Sequence, residues 1–249
     1  MEIYINIVYL FAAICFMYGL KMLSHPRTAR NGNFISSFGM LIAIIVTLSL
    51  NGSGEDPDII RLNWTLILIG LIVGSIIGSF FAIKVEMTQM PQLVAIFNGF
   101  GGIASFLVAW AALYPELNTM DIRNGNLYGS SNSILMATIV LSILIGGITF
   151  TGSLVAYGKL SETISGKPFV FVGQRFINSC IFIALLVFSY RFSFDPSINS
   201  ADFIAVLGLA LMLGIMLVIP IGGADMPVVI SLLNACSGLA ACTVGFVLN

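Results

Sequence analysis

The sequence predicts an all-α fold, a polytopic membrane bundle of about eight transmembrane helices in a single domain covering residues 1–249. The 249 residues are 58% hydrophobic and 8% charged, whereas a soluble domain has about a quarter charged residues. The apolar residues fall into eight runs, each near the length of about 20 residues that a membrane crossing needs. The stretches between them are short and rich in turn-forming residues, which leaves no segment for a soluble domain.

The eight predicted spans lie near residues 4–23, 34–50, 62–83, 91–114, 133–157, 176–191, 203–221 and 226–248. The first run follows Glu2 with no basic residue before it, which is not typical of a cleaved signal peptide, so we expect it to be retained. The third contains Gly70, Gly74 and Gly78, a spacing that lets another helix approach to backbone contact.

The charges of the connecting stretches predict an orientation. The basic residues of alternate loops divide seven against three, with Lys21, Arg27, Arg30, Lys84, Lys159, Lys167 and Arg175 on one side and Arg61, Arg123 and Arg191 on the other. The more basic side is expected in the cytoplasm. Both ends of the chain are then predicted to lie outside.

A short phrase occurs twice, as MPQLVAIFNGFGGIA at residues 90–104 and as MPVVISLLNACSGLA at residues 226–240. Each copy has a proline suited to the first turn of a helix and an asparagine seven residues later, Asn98 or Asn234. At 1.5 Å per residue, each amide lies about 10 Å into its span. Because an amide facing lipid is costly, both asparagines are expected to face each other, other helices or water.

Small and polar residues surround both asparagines, and a third such stripe lies on the fifth span. By helical spacing, the stripes comprise Ala95, Asn98, Gly102 and Ser105; Ser231, Asn234, Gly238 and Cys242; and Ser142, Gly146, Thr149, Ser153 and Ala156. Two interpretations remain open. The polar groups can hold helices together by hydrogen bonds, or they can line a hydrated proton path.

Asp225 is the only charged side chain after Asp202. It closely precedes Pro227, where an acid can cap a helix by accepting backbone N–H bonds. A charged group at the mouth of the Asn234 helix is also suited to gate a proton or a cation. Both roles, a cap and a gate, are therefore retained for Asp225.

Residue content argues against several other kinds of site. The net charge of −1 argues against a nucleic-acid partner, and the four cysteines with the single His25 have no metal-ligand spacing. The phrase GFGGIA at residues 99–104 has the spacing of a dinucleotide fingerprint but lies inside a predicted membrane helix rather than after a strand. We expect no metal, no catalytic residue and no bound cofactor on this chain.

Four longer phrases resemble a known family: LSHPRTARNGN, EMTQMPQLVAIFNGFGGIASFLV, TFTGSLVAYGKLSETISGKP and GGADMPVVISLLNACSGLAACTVGF. They cover most of the chain and resemble the membrane domain of the beta subunit of proton-translocating NAD(P)+ transhydrogenase. The resemblance implies that protons cross this chain, while partner domains that hold NAD(H) and NADP(H) transfer hydride from NADH to NADP+. It also implies an alpha subunit and an NADP-binding domain as partners, a homodimer of the complex, and a lipid bilayer of the bacterial inner-membrane type.

The resemblance assigns roles to individual residues. The family's channel asparagine falls on Asn234, its channel serine on Ser153 and its conspicuous acid on Asp225. Better-known members place a histidine where Asn98 stands, and an amide cannot exchange a proton at physiological pH. Other members place a histidine on the second span, which has none here. We therefore expect proton transfer to use water gated by conformation, or a titratable group of a partner subunit.

The family's beta subunit continues through one more span and an NADP-binding domain. The chain is therefore expected to be a truncated or split subunit that is inactive in hydride transfer alone. Two other function classes remain as alternatives. The parallel repeat with its midplane amides is also typical of a secondary transporter for a small solute or ion, and a purely structural membrane subunit is the third hypothesis.

Overall fold

The computed structural model describes residues 2–51, 64–118, 133–194 and 200–248. These residues contain eight helices long and apolar enough to cross a membrane, which confirms the predicted all-α membrane bundle. The helices are α1 (Glu2–Leu23), α2 (Ala29–Asn51), α3 (Trp64–Lys84), α4 (Met90–Asn118), α5 (Ser133–Leu160), α6 (Gln174–Phe194), α7 (Ser200–Val218) and α8 (Met226–Leu248). Short 3-10 turns at Met87–Gln89 and Gly223–Asp225 precede α4 and α8. Arg61 and Arg123, two of the basic residues that predict the orientation, lie outside the described residues.

The chain divides into two compact units, Met1–Ser79 and Phe80–Asn249. In the first unit, α1 and α2 form a close hairpin. A Cβ atom at Gly19 would lie 2.6 Å from the Gly32 carbonyl oxygen, and a Cβ at Gly32 would lie 2.6 Å from the Gly19 oxygen. The two backbones are thus in contact. Gly32 lies within α2 at this contact and is not part of a turn. This explains why α2 begins at Ala29, inside the stretch that the sequence assigned to a loop.

The glycine ladder of α3 lacks the packing role that its spacing suggested. Gly70, Gly74 and Gly78 have no neighbouring atom within 4 Å of their Cβ positions, and α3 buries none of its residues. Among the described residues of the first unit, no helix lies against this ladder. The spacing indicates where a helix can approach closely, but it does not specify that a helix of the same chain does so.

In the second unit α5 is the central helix and packs against α4, α6, α7 and α8. Two buried apolar clusters flank it, one toward each end. The cluster at its N-terminal half includes Leu113, Met136, Ile139, Ile143, Phe192 and Val206. The cluster at its C-terminal half includes Ala95, Ala156, Val218, Met226, Ile230 and Leu233. The polar residues of the α5 stripe, Ser142, Thr149 and Ser153, lie beside these clusters and have no exposed surface.

α4 and α5 run antiparallel and cross at two glycines. A Cβ atom at Gly102 would lie 2.8 Å from the Gly146 carbonyl oxygen, and one at Gly146 would lie 2.7 Å from the Gly102 oxygen. Neither position has room for a side chain, because real Cβ atoms do not come this close to backbone atoms. The crossing sets Asn98 of α4 level with Ser153 of α5.

We expect Gly102→Val to lower the free energy of unfolding by about 1–3 kcal/mol, because the added carbons overlap the α5 backbone. Thermal unfolding of the purified protein in micelles measures this loss. Gly101→Val is the matched control, since nothing lies within 4 Å of a Cβ at Gly101 and the change in helix propensity is the same. Equal losses in the two variants would contradict the crossing described here.

Candidate functional site

Three polar side chains from three helices meet at Asn98. Asn98 Nδ2 donates a hydrogen bond of 2.9 Å to Ser153 Oγ on α5, and Ser237 Oγ on α8 donates one of 2.7 Å to Asn98 Oδ1. Asn98 is only 7% exposed and Ser153 is fully buried. We call these three residues the Asn98 triad. Because both ends of the amide are bonded in an apolar environment, the triad ties α4, α5 and α8 together.

The predicted polar stripe of α5 is buried along its whole length. Ser142, Thr149 and Ser153 have no exposed surface, and from Ser142 to Ser153 the row covers about 16 Å at 1.5 Å per residue. Ser142 Oγ lies 2.8 Å from Thr243 Oγ1 on α8, so the far end of the row also contacts α8. Sequence reasoning singled out Ser142 but did not indicate Thr243 as its partner.

Thr149 lies between these two hydrogen-bonded points. Its Oγ1 is buried and has no hydrogen-bond partner among the described residues. The side chain packs beside the glycine crossing, since its Cβ would be 3.2 Å from a Cβ at Gly102. An unpaired buried hydroxyl costs about 1–3 kcal/mol, and such a group can be satisfied by an internal water molecule.

Asn234 does not join the triad. Its side chain is exposed and makes no hydrogen bond to the described residues. The other members of its stripe, Ser231, Gly238 and Cys242, are exposed as well. The sequence left open whether the two stripes face each other, other helices or water. Within this chain they do not face each other, because the stripe of α4 is buried and the stripe of α8 points outward.

α8 instead turns its apolar face toward the bundle. The buried residues of that face are Met226, Ile230, Leu233 and Ala240. With the half-buried Ser237 between the last two, the row repeats every three or four positions. Gly152 on α5 makes room for Leu233, since a Cβ at Gly152 would lie 3.3 Å from Leu233 Cδ1. Ser237 is the one hydroxyl in this row. The repeated phrase points to Asn234 and does not indicate Ser237, whereas the period of the apolar row does.

The two copies of the repeated phrase begin with the same backbone geometry. The residue before each 3-10 turn is extended, with φ −72° and ψ 155° at Glu86 and φ −71° and ψ 154° at Gly222. Asp225 ends the second turn, and its side chain is exposed with no hydrogen bond to the described residues. The capping role considered for Asp225 is therefore not observed, and a free carboxylate stands at the start of α8.

The described residues do not fit a nucleotide at the GFGGIA phrase. Gly102 lies in the middle of α4 against the α5 backbone, so its N–H group cannot cradle a phosphate as a helix N-terminus does. Across the described ranges, no three His, Cys, Asp or Glu side chains are grouped to hold a metal ion. The candidate site consists of hydroxyl and amide groups, which exchange hydrogen bonds but do not titrate near neutral pH.

We expect Asn98→Leu to lower the free energy of unfolding by about 2–4 kcal/mol, because it removes two hydrogen bonds and leaves two hydroxyls without a partner. Ser237→Ala should lose about 1 kcal/mol. Asn234→Leu is the control, since that amide has no partner among the described residues. Unfolding of the variants in micelles measures all three. An Asn234→Leu loss as large as that of Asn98→Leu would overturn the assignment of the triad.

The sequence matches the protein family described as NAD(P) transhydrogenase beta subunit over residues 5–249. The NAD(P) transhydrogenase subunit beta of Rhodospirillum rubrum is 41% identical over 245 residues, which are 97% of this chain and 49% of that protein. A protein of the same name from a designated strain of that species matches equally well. The chain thus spans about half the length of the curated relatives it matches. From a match that covers nearly the whole chain, we conclude that it belongs to the NAD(P) transhydrogenase beta subunit family.

Proposed function

We propose that this chain is the membrane proton-conducting domain of an NAD(P) transhydrogenase, and that it couples proton translocation to hydride transfer between NADH and NADP+. The observation that carries the proposal is the enclosed row of hydroxyl and amide groups that joins α4, α5 and α8. Family membership supplies the reaction. In this proposal NAD(H) and NADP(H) are held by partner domains, an alpha subunit and an NADP-binding domain, in a dimeric complex of the inner membrane.

The chemistry of the row suits proton conduction through water. A hydroxyl both donates and accepts, so Ser142, Thr149 and Ser153 can each pass on the orientation of a hydrogen-bonded chain. The unpaired Thr149 hydroxyl would bind a water in the middle of the row. An amide cannot relay a proton, so Asn98 orients its neighbours and does not carry charge.

The two asparagines have different roles in the proposal. The Asn98 amide is engaged at both ends by the triad, so it holds the helices in register. The Asn234 amide lies on the outer face of α8 and makes no hydrogen bond to the described residues. An unpaired amide that faces lipid is costly. Asn234 is therefore the residue that would bind water, or a polar group of a partner helix, along the proton path.

Asp225 is proposed as the coupling residue. The positive-inside argument puts the start of α8 at the cytoplasmic side, which is also where a soluble nucleotide-binding domain would contact the membrane domain. The Asp225 carboxylate is exposed and makes no hydrogen bond or ion pair within the described ranges. It is thus able to interact with protons entering the path and with the partner domain.

We expect Asn234→Leu to abolish proton-coupled NADPH formation while leaving the protein inserted and stable, because the variant loses the water-binding amide without losing an internal contact. The measurement is NADPH formation in liposomes that contain the complete complex under an imposed pH gradient. Asn234→Gln, which keeps an amide, is the control. If Asn234→Leu remained coupled, the channel role of Asn234 would be wrong.

We expect Asp225→Asn to reduce the response of NADPH formation to the imposed gradient, because it removes the only charge at the start of α8. Glu162→Gln is the matched control, since Glu162 is an exposed acid near the same end of the unit. A gradient response in Asp225→Asn equal to that of the control would exclude the coupling role. If NADPH formation by the wild-type complex did not respond to the gradient at all, the proposed function would be wrong, and a solute transporter would be favoured instead.

A further inference from the structure

Lys159, near the end of α5, is a buried cation without a carboxylate partner in the part of the chain that the structure describes. Its residue surface is 3% exposed. Its Nζ donates hydrogen bonds to the carbonyl oxygens of Ile219 and Ile221, the latter at 2.6 Å, and to the Lys167 oxygen at 3.4 Å. A fully buried lysine is rare unless it is paired, and here backbone carbonyls take the place of an acid.

The first two carbonyls belong to the connection that directly follows α7. This helix ends at Val218, so both carbonyls lie just past its C-terminus, where the partial negative charge of a helix end favours a cation. An ammonium group with three donors can satisfy several such oxygens at once. Lys159 therefore bonds the connection after α7 to the end of α5.

The third carbonyl belongs to the segment that follows α5. Two backbone hydrogen bonds join that segment to the α7–α8 connection as well, from Phe169 N to Ile219 O at 3.3 Å and from Gly223 N to Gly166 O at 2.8 Å. Together with the Lys159 ammonium, they form one bonded network, which we call the Lys159 clamp. It connects α5, the segment at residues 161–173 and the turn before α8.

The clamp is close in sequence both to Ser153 on α5 and to Asp225 at the start of α8. Ser153 is six residues before Lys159 on α5, about 9 Å at 1.5 Å per residue. On the other side, Ile221 is five residues before Met226, where α8 begins with Asp225 just ahead of it. A shift of the clamp would therefore move the start of α8 relative to α5, and with it Ser237 relative to Asn98 and Ser153.

We infer that Lys159 is a positioning residue for proton coupling: its ammonium fixes the turn that carries Asp225 against the α5 helix that carries Ser153. The expected change in activity rests on the proposed function, whereas the hydrogen bonds of the clamp do not depend on it. An apolar side chain here would remove the donor to the Ile221 and Lys167 carbonyls and leave the Ile219 carbonyl with the Phe169 N–H alone. The positive charge matters because the ammonium faces three carbonyl dipoles. Lys159 itself touches no transported proton.

The test uses the complete complex in liposomes and compares Lys159→Met with Lys167→Met. Lys167 is the matched control, because its side chain is exposed and only its backbone takes part in the clamp. Two readouts are measured. One is gradient-driven NADPH formation, and the other is the distance distribution between spin labels at Ser165→Cys and Ala224→Cys in a background whose native cysteines are replaced by alanine.

We expect Lys159→Met to lower gradient-driven NADPH formation about tenfold and to broaden the label distance, while Lys167→Met changes neither. An unchanged distance in Lys159→Met, or the same loss in Lys167→Met, would overturn the inference. Lys159→Gln covers the case in which Lys159→Met does not accumulate. It keeps donors but no charge, so wild-type coupling and distance in that variant would also overturn it. If wild-type complex showed no gradient response, the proposed function would fail, and the distance readout would still decide whether the clamp exists.

Discussion

The arrangement of the second unit depends on one contact, the backbone approach of α4 and α5 at Gly102 and Gly146. A Cβ atom at either position would lie within 3 Å of the opposite carbonyl oxygen, so only glycine permits this distance. The approach puts the Asn98 amide within hydrogen-bonding distance of Ser153. It also brings the Thr149 side chain up to α4. With larger residues at the crossing, α4 and α5 would separate and Ser153 would lose its Asn98 partner.

The second decisive contact sets the rotation of α8 about its own axis. Leu233 fills the space left by Gly152, and the apolar row from Met226 to Ala240 follows it into the bundle. Ser237 lies on that row and completes the triad, while Asn234 faces outward. α8 thus has two polar faces with different surroundings. One is saturated by hydrogen bonds within the chain, and the other is free for water or for a partner.

Titratable groups are separated from the enclosed row of hydroxyls. The triad and the α5 stripe contain only amide and hydroxyl side chains, whereas Lys159 and Asp225 stand at the end of the unit where α8 begins. The proposed division of labour follows from this separation: neutral groups orient a path, and charges at its mouth respond to a partner domain. The Lys159 clamp provides a mechanical link between the two, because it bonds the end of α5 to the turn that leads into α8.

The sequence by itself determined the fold class and the depth of the polar residues within their membrane spans. Apolar run lengths gave all eight spans, and helical periodicity gave the buried stripe of Ser142, Thr149 and Ser153, since both depend on local spacing alone. Only the tertiary structure decided which face of α8 is inside. Asn98 and Asn234 occupy equivalent positions of one repeated phrase, yet Asn98 is buried and Asn234 is exposed. The difference arises because α8 turns Leu233 toward Gly152 of α5, a contact between residues far apart in the sequence. Lys159 was counted only as a loop charge for the same reason. Its two shorter hydrogen bonds go to backbone carbonyls 60 and 62 residues away, and the sequence does not indicate which carbonyls a side chain will meet.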